Sequence, residues 1–217
     1  MRRAVIISGG DVISFSILKD QLKVDDYIIA VDRGIDYVYD NGIRADIVLG
    51  DFDSVSDYER VNELEKKGAF KLAYPEDKDY TDTELALSFA QEKGFDKVLL
   101  LGATGTRLDH TLANVFLLVP FALADMQIDI LMDNGVGYVR EASTVPIELR
   151  EESGRIFSVL PLTSVVEGLN ITGARYPLSE HRLVQGNTLT VSNEVLDVAR
   201  ISFNKGVAMV IQVSLDI

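Results

Sequence analysis

The sequence predicts an α/β protein in two parts: an N-terminal, mostly parallel α/β sheet domain and a smaller C-terminal all-β, sandwich-like domain. Three observations predict it. Up to about Met132, short β-branched or apolar runs alternate with amphipathic stretches, the rhythm of βα units. After about Asp133 the chain turns to short strands separated by Gly, Pro or Asn turns, a spacing that suggests a sandwich or barrel. No internal repeat or low-complexity linker lies between the two regimes, so the boundary near 134–145 is a change of pattern, dividing the chain into residues 1–140 and 141–217.

Each element follows from its own residues. Apolar runs predict strands at 5–7, 27–31, 47–49 and 98–101, with helices at 14–22, 35–41, 57–67, 81–93 and 108–118 to cover both faces of the sheet. The helix at 81–93 has the clearest signals. Thr81-Asp82-Thr83-Glu84 has capping-box form, Leu85, Ala86 and Phe89 share one face, and Gly94 supplies the stop. Downstream, strands are predicted at 155–160, 165–171, 188–191, 198–203 and 207–213.

Composition narrows the function. With 217 residues, 47% hydrophobic and 25% charged, the chain is long enough to bury a core in one large domain or two modest ones. Acidic residues outnumber basic ones by 34 to 21, and a net charge of −13 repels polyanions, which excludes nucleic acid as the expected partner. There is no cysteine, and the histidines are the isolated His110 and His181, so an expected metal is a hard cation on oxygen ligands, with magnesium the default. Arg2 and Arg3 precede only a short apolar run. The longest such run, 115–124, is broken by Pro120 and falls below the ~20 residues of a membrane helix. A soluble, cytoplasmic protein without membrane contact is expected.

In an open α/β sheet the ligand crevice lies at the carboxyl ends of the strands. Here those ends are polar: Ser8-Gly9-Gly10-Asp11, Asp32-Arg33-Gly34, Gly50-Asp51-Phe52-Asp53-Ser54, and Gly102 through Arg107 to Asp109. Asp51 and Asp53, two apart, would place both carboxylates on one side of extended backbone with Phe52 turned inward, or else form a solvated turn. Asp77-Lys78-Asp79-Tyr80-Thr81-Asp82 holds more carboxylates than capping the 81–93 helix requires, and helix N-termini also receive phosphate. Arg107 reads as a bidentate phosphate clamp or as an exposed ion pair with Asp109. No Gly-Lys-Ser/Thr follows the glycine turn, which excludes an ordinary P-loop. Metal carboxylates, a cation and loop amides are together the parts of phosphoryl transfer.

Gly50 through Ser54, Lys78 through Asp82, Gly102 through Arg107-Leu108-Asp109-His110 to Asn114, Phe157 through Leu162, Thr172 through Leu178 and Ser192-Asn193-Glu194 together resemble the bacterial branch of the thiamine pyrophosphokinase family, in order along nearly the whole chain. The resemblance implies transfer of diphosphate from ATP to the thiamine hydroxyl, giving thiamine diphosphate and AMP, with Mg2+ on Asp51, Asp53 and Asp82. It implies that Asp32, Lys78, Asp79, Thr81 and Arg107 face the nucleotide, with Asp109 near the reacting groups as a base or as an orienting acceptor. It also implies a homodimer whose β domain helps form the thiamine pocket, with Ser192 and Asn193 as substrate contacts, although that pair also reads as a plain turn. Two departures stand out. Arg33 occupies a position where the family more often has a small residue, and the chain has no tryptophan to stack on the aminopyrimidine as vertebrate relatives do. The alternatives are a diphosphokinase acting on another alcohol, such as a pterin, and a non-catalytic nucleotide-binding module.

Overall fold

The computed structural model describes residues 3–11, 13–75, 77, 79–151 and 155–214. The chain divides into two compact units, Met1–Leu117 and Leu118–Ile217.

In the first unit, β1 (Ala4–Ile7), β2 (Tyr27–Val31), β3 (Ile47–Gly50), β4 (Phe70–Ala73) and β5 (Lys97–Leu101) form a sheet in the order β5-β1-β2-β3-β4. Every pairing in it is parallel. Between the strands lie α1 (Phe15–Gln21), α2 (Gly34–Asp40), α3 (Tyr58–Lys66) and α4 (Asp82–Glu92), with α5 (Leu108–Ala122) after β5. The connections step outward from β1 to β4 and then return past β1 to β5. Right-handed crossovers therefore put α4 on the face opposite α1, α2 and α3. This covers both faces, so β1 and β3 are buried at every residue. Ile6, Ile29, Leu49 and Leu100 from strands and Leu18, Ile35 and Leu87 from helices are fully enclosed.

The predicted helices are present. Thr81 caps α4 by accepting from the Glu84 N–H at 3.2 Å, and Gly94 with φ +75° follows the helix end. The strand β4 was not foreseen. It lies at the sheet edge on β3 alone, and its half-exposed residues lack an apolar run. Helix α5 runs past its predicted end through Pro120, with Leu118, Phe121 and Ala122 buried.

The second unit contains β6 (Gln127–Met132), β7 (Gly135–Arg150), β8 (Ile156–Pro161), β9 (Val165–Ala174), β10 (Leu178–Val184) and β11 (Asn193–Val213). The order is β10-β9-β11-β7-β6, with β8 also on β11, and the pairings among these strands are antiparallel. Along one edge β11 pairs with β8 at Asn193 and Glu194, with β9 from Val195 to Lys205, and with β8 again from Ala208 to Val213. Leu149, Phe157, Val166, Leu183 and Ile201, from five strands, meet in one core, so the sheet folds over itself into the expected sandwich-like form.

Two strand predictions are corrected. The runs 198–203 and 207–213 belong to the single strand β11, because Asn204-Lys205-Gly206 makes a register shift, with Gly206 at φ +99°, instead of a turn. Residues 188–191 form a turn. There Leu189 and Val191 point outward while Thr190 is buried and donates its hydroxyl to the Val159 carbonyl at 2.6 Å, so the alternation is inverted. The strands β6, β7 and β10 were not anticipated. Among the described residues no helix is long and apolar enough to cross a membrane.

Candidate active site

Because the first five strands are parallel, Ser8, Asp32, Gly50-Asp51 and Gly102 leave the sheet at one edge. The connectivity reverses between β1 and β5, which makes that gap the topological switch point. The chain closes it with backbone bonds: Ser8 N–H donates to Leu101 O at 2.9 Å, Gly10 N–H to Gly102 O at 3.0 Å and Asp11 N–H to Thr104 O at 3.0 Å. Such approach needs glycine at 102, where φ is +67° and a Cβ would lie 2.2 Å from Ser8 O. Helix α5 holds the same loop from beyond. Thr111 Oγ1 accepts from the Gly105 N–H at 3.1 Å, and Asn114 Nδ2 donates to Ala103 O at 2.8 Å.

Asp32 has φ +47°, and its N–H donates to Leu49 O at 3.2 Å. Its Oδ1 lies 2.1 Å from where a Cβ on Gly50 would stand, and Gly50 has φ +143°. The Asp32 carboxylate is therefore folded across the end of β3, a placement a side chain at position 50 would forbid.

Of the two readings for Asp51 and Asp53, extended backbone or a turn, the turn is the one realised. Phe52 has φ +65° and is buried edge-on against Tyr58, with ring centroids 6.1 Å apart. Asp51 Oδ1 accepts from the Asp53 N–H at 3.1 Å. Phe52 does point inward, and its left-handed backbone is what turns the chain between the two acids.

Asp79 is exposed just ahead of the Thr81 cap, Asp82 opens α4, and Lys78 lies outside the described residues. Buried Thr83 shares a hydroxyl hydrogen bond of 2.7 Å with Ser8, tying the first turn of α4 to the end of β1. Sequence reasoning assigned neither hydroxyl a role. Thr83, inside the capping box, was the available signal.

Arg107 and Asp109 form a two-pronged ion pair, Nε to Oδ1 at 3.2 Å and Nη2 to Oδ2 at 2.6 Å. The guanidinium hydrogen bonds hold the Asp109 carboxyl down to about 2. The ion-pair reading of Arg107 is thus realised, while the other edge of its planar fork keeps further N–H donors.

In the second unit, Ser192 has φ +58°, and its N–H donates to Ser158 Oγ at 3.0 Å. Asn193 is 4% exposed. Its Oδ1 accepts from the N–H groups of Tyr176 at 3.0 Å and Glu194 at 2.9 Å, and its Nδ2 donates to Tyr176 O at 2.8 Å. One side-chain amide therefore pairs with both main-chain groups of Tyr176. The Tyr176 ring stays 58% exposed, with the Arg175 guanidinium 5.6 Å from its centroid. An exposed aromatic with a pinned backbone was missed in the sequence because its holder is distant along the chain.

The donor chemistry suits a hard cation, since Asp51, Asp53 and Asp82 offer carboxylate oxygens near the ends of β3 and the start of α4. Among the described residues no three acidic or histidine side chains are gathered into a ready-made cage. Magnesium commonly takes one or two protein carboxylates and completes its shell with water and phosphate oxygens, so the set fits an ion that arrives with a nucleotide.

Fold and site together define the class: an α/β enzyme domain with an acid-rich strand edge suited to phosphate chemistry, joined to a β domain. Known proteins narrow it. Residues 18–132 match the family model for the thiamin pyrophosphokinase catalytic domain, and residues 143–208 match that for its vitamin B1 binding domain. The thiamine pyrophosphokinase of Bacillus subtilis (strain 168) is 34% identical over 185 residues, covering 85% of this chain and 86% of that one. The crystal structure of a thiamine pyrophosphokinase from Bacillus subtilis superposes with TM-score 0.84 at 27% identity, covering 99% of each chain. That of a thiamin pyrophosphokinase from Geobacillus thermodenitrificans gives 0.83 at 30% identity, covering 100% of this chain and 99% of that one. The chain belongs to the thiamin pyrophosphokinase family.

Proposed function

We infer that the chain is an ATP:thiamine diphosphotransferase, moving a diphosphate from ATP to the thiamine hydroxyl to give thiamine diphosphate and AMP. The observation that carries the site assignment is the convergence of Asp32, Asp51 and Asp82 on the carboxyl edge of one parallel sheet. In the reaction the hydroxyl oxygen bonds to the β-phosphorus, the bond from that phosphorus to the bridging oxygen of the α-phosphate breaks, and the hydroxyl proton passes to solvent.

Asp51, Asp53 and Asp82 hold Mg2+, which supplies charge neutralisation on the phosphate oxygens. Asp32, Lys78, Asp79, Thr81 and Arg107 face the nucleotide. The Thr81 hydroxyl accepts from Glu84 and still has its own proton to donate. Arg107 grips Asp109 by one edge and presents its other donors to phosphate. Asp109, held near 2, is too weak a base at neutral pH to deprotonate an alcohol, so it accepts a hydrogen bond from the hydroxyl and aims it. Little more is required where most of the rate comes from positioning and charge compensation.

Residues 1–140 carry the ATP and magnesium site, and 141–217 contribute thiamine binding and the homodimer contact. Ser192 and Asn193 serve the thiamine side, Asn193 chiefly by holding Tyr176, whose exposed ring can stack on the aminopyrimidine where no tryptophan is available. The expected setting is the cytoplasm, without nucleic acid or membrane. One incubation with thiamine, ATP and magnesium, with AMP and ADP resolved, tests the reaction. AMP and thiamine diphosphate in equal amounts are expected, and ADP as the sole nucleotide product would overturn diphosphate transfer.

A further inference from the structure

We propose that Arg33 is a phosphate-binding residue of the nucleotide site, the cation that receives the ATP polyphosphate on the β1–β2 side of the sheet edge. The proposal rests on the ATP-dependent reading above. Arg33 directly follows Asp32 at the end of β2, and its Cβ lies 3.2 Å from where a Cβ on Gly9 would stand, so it borders the glycine loop that leaves β1 at the switch point.

Its local setting does not explain it. Arg33 occupies the N-cap position of α2, makes no side-chain capping bond there, and brings a positive charge to the positive end of the helix. Arginine is a poor N-cap, and a cation is disfavoured in that place. The nearby Asp36 carboxylate is committed elsewhere, accepting from Arg60 at 3.0 Å and from the Ser56 N–H and hydroxyl. Arg107 is held by Asp109. Arg33 is exposed, and its side chain has no hydrogen bond or ion pair among the described residues. An unneutralised fork beside a glycine loop, on an edge otherwise crowded with carboxylates, matches a polyanion that must be drawn to an acidic protein.

The test compares wild type with Arg33→Met, which keeps an apolar stem of similar reach, and Arg33→Lys, which keeps charge but not the fork. ATP binding is measured calorimetrically with magnesium and without thiamine, and steady-state AMP formation is followed alongside. Arg33→Met should weaken ATP binding and raise KM for ATP by about 10- to 100-fold, leave KM for thiamine unchanged, and flatten the salt dependence of ATP affinity. Arg33→Lys should fall between the two. Unchanged ATP affinity in Arg33→Met, or equal rises in both KM values, would overturn the proposal. A wild type that binds ATP but forms no AMP overturns the transfer reaction instead, and the calorimetric comparison still decides Arg33.

Discussion

Replacing Asn193 by Ala removes a side chain that makes three hydrogen bonds, two to Tyr176 and one to Glu194. The site is 4% exposed, so water replaces those bonds poorly. At about 1 kcal/mol each, the loss comes to about 3 kcal/mol, and at ~2–4 °C per kcal/mol for a chain of this size the melting temperature should fall by about 6–12 °C. Asn193→Asp keeps the two accepted bonds but sets a carboxylate oxygen against the Tyr176 carbonyl, so it should also destabilise. The functional consequence is separate. Freed from Asn193, the Tyr176 ring loses its fixed position, and KM for thiamine should rise while KM for ATP stays put. Thermal unfolding and AMP formation with each substrate varied in turn would measure both. An unchanged melting temperature would refute the energetic reasoning, and a lower one with unchanged KM for thiamine would refute the link from Asn193 through Tyr176 to the substrate.

Asp51→Asn and Asp82→Asn should each lower AMP formation by about 100-fold or more, with part of the loss recovered at high magnesium; wild-type turnover at low magnesium would remove them as ligands. The Asp109 carboxyl should titrate by NMR near 2 and return towards its ordinary value of 3.8 in Arg107→Met. Because its folded value is depressed, the ion pair's contribution is complete above about 3.8 and fades as pH falls towards 2, and a midpoint unmoved by Arg107→Met would contradict the assigned cause. Thr83→Val strands the Ser8 hydroxyl and should cost about 1 kcal/mol, or ~2–4 °C of melting temperature, whereas Thr83→Ser should retain the bond and the stability.

The parallel half of the fold was legible because burial on both faces writes continuous apolar runs into the sequence, and β1, β2, β3 and β5 appear as such runs. The edge strand β4 buries too little to leave that signature. In the β half, Asn204-Lys205-Gly206 looks like a turn, and only the pairing of β11 with β7 on either side of it makes the segment an irregularity within one strand. At the site, the acidic residues were legible one by one, but their geometry was not. Nothing local announces that Phe52 turns left-handed, that Gly50 makes room for Asp32, or that Asn193 reaches Tyr176.

What the structure adds to the acid set is that several members already have a structural partner that also aims them. Asp51 closes its own turn by accepting from Asp53, and Asp32 folds into space left by a glycine. Asp109 is gripped by Arg107, and Asp82 stands on a helical turn tied to β1 by the Ser8–Thr83 bond. Each device fixes a carboxylate before any cation or phosphate arrives, which limits the ordering a bound nucleotide must impose. Among the described cations at the sheet edge, Arg107 is already engaged by Asp109 whereas Arg33 is not, so on the proposed reading Arg33 would share the charge balance of an incoming polyphosphate with magnesium, Lys78 and the free edge of Arg107. If Arg33 carries that share, the Arg33→Met enzyme should depend more steeply on magnesium concentration at fixed ATP than wild type does, and superimposable magnesium curves would refute this division of charge.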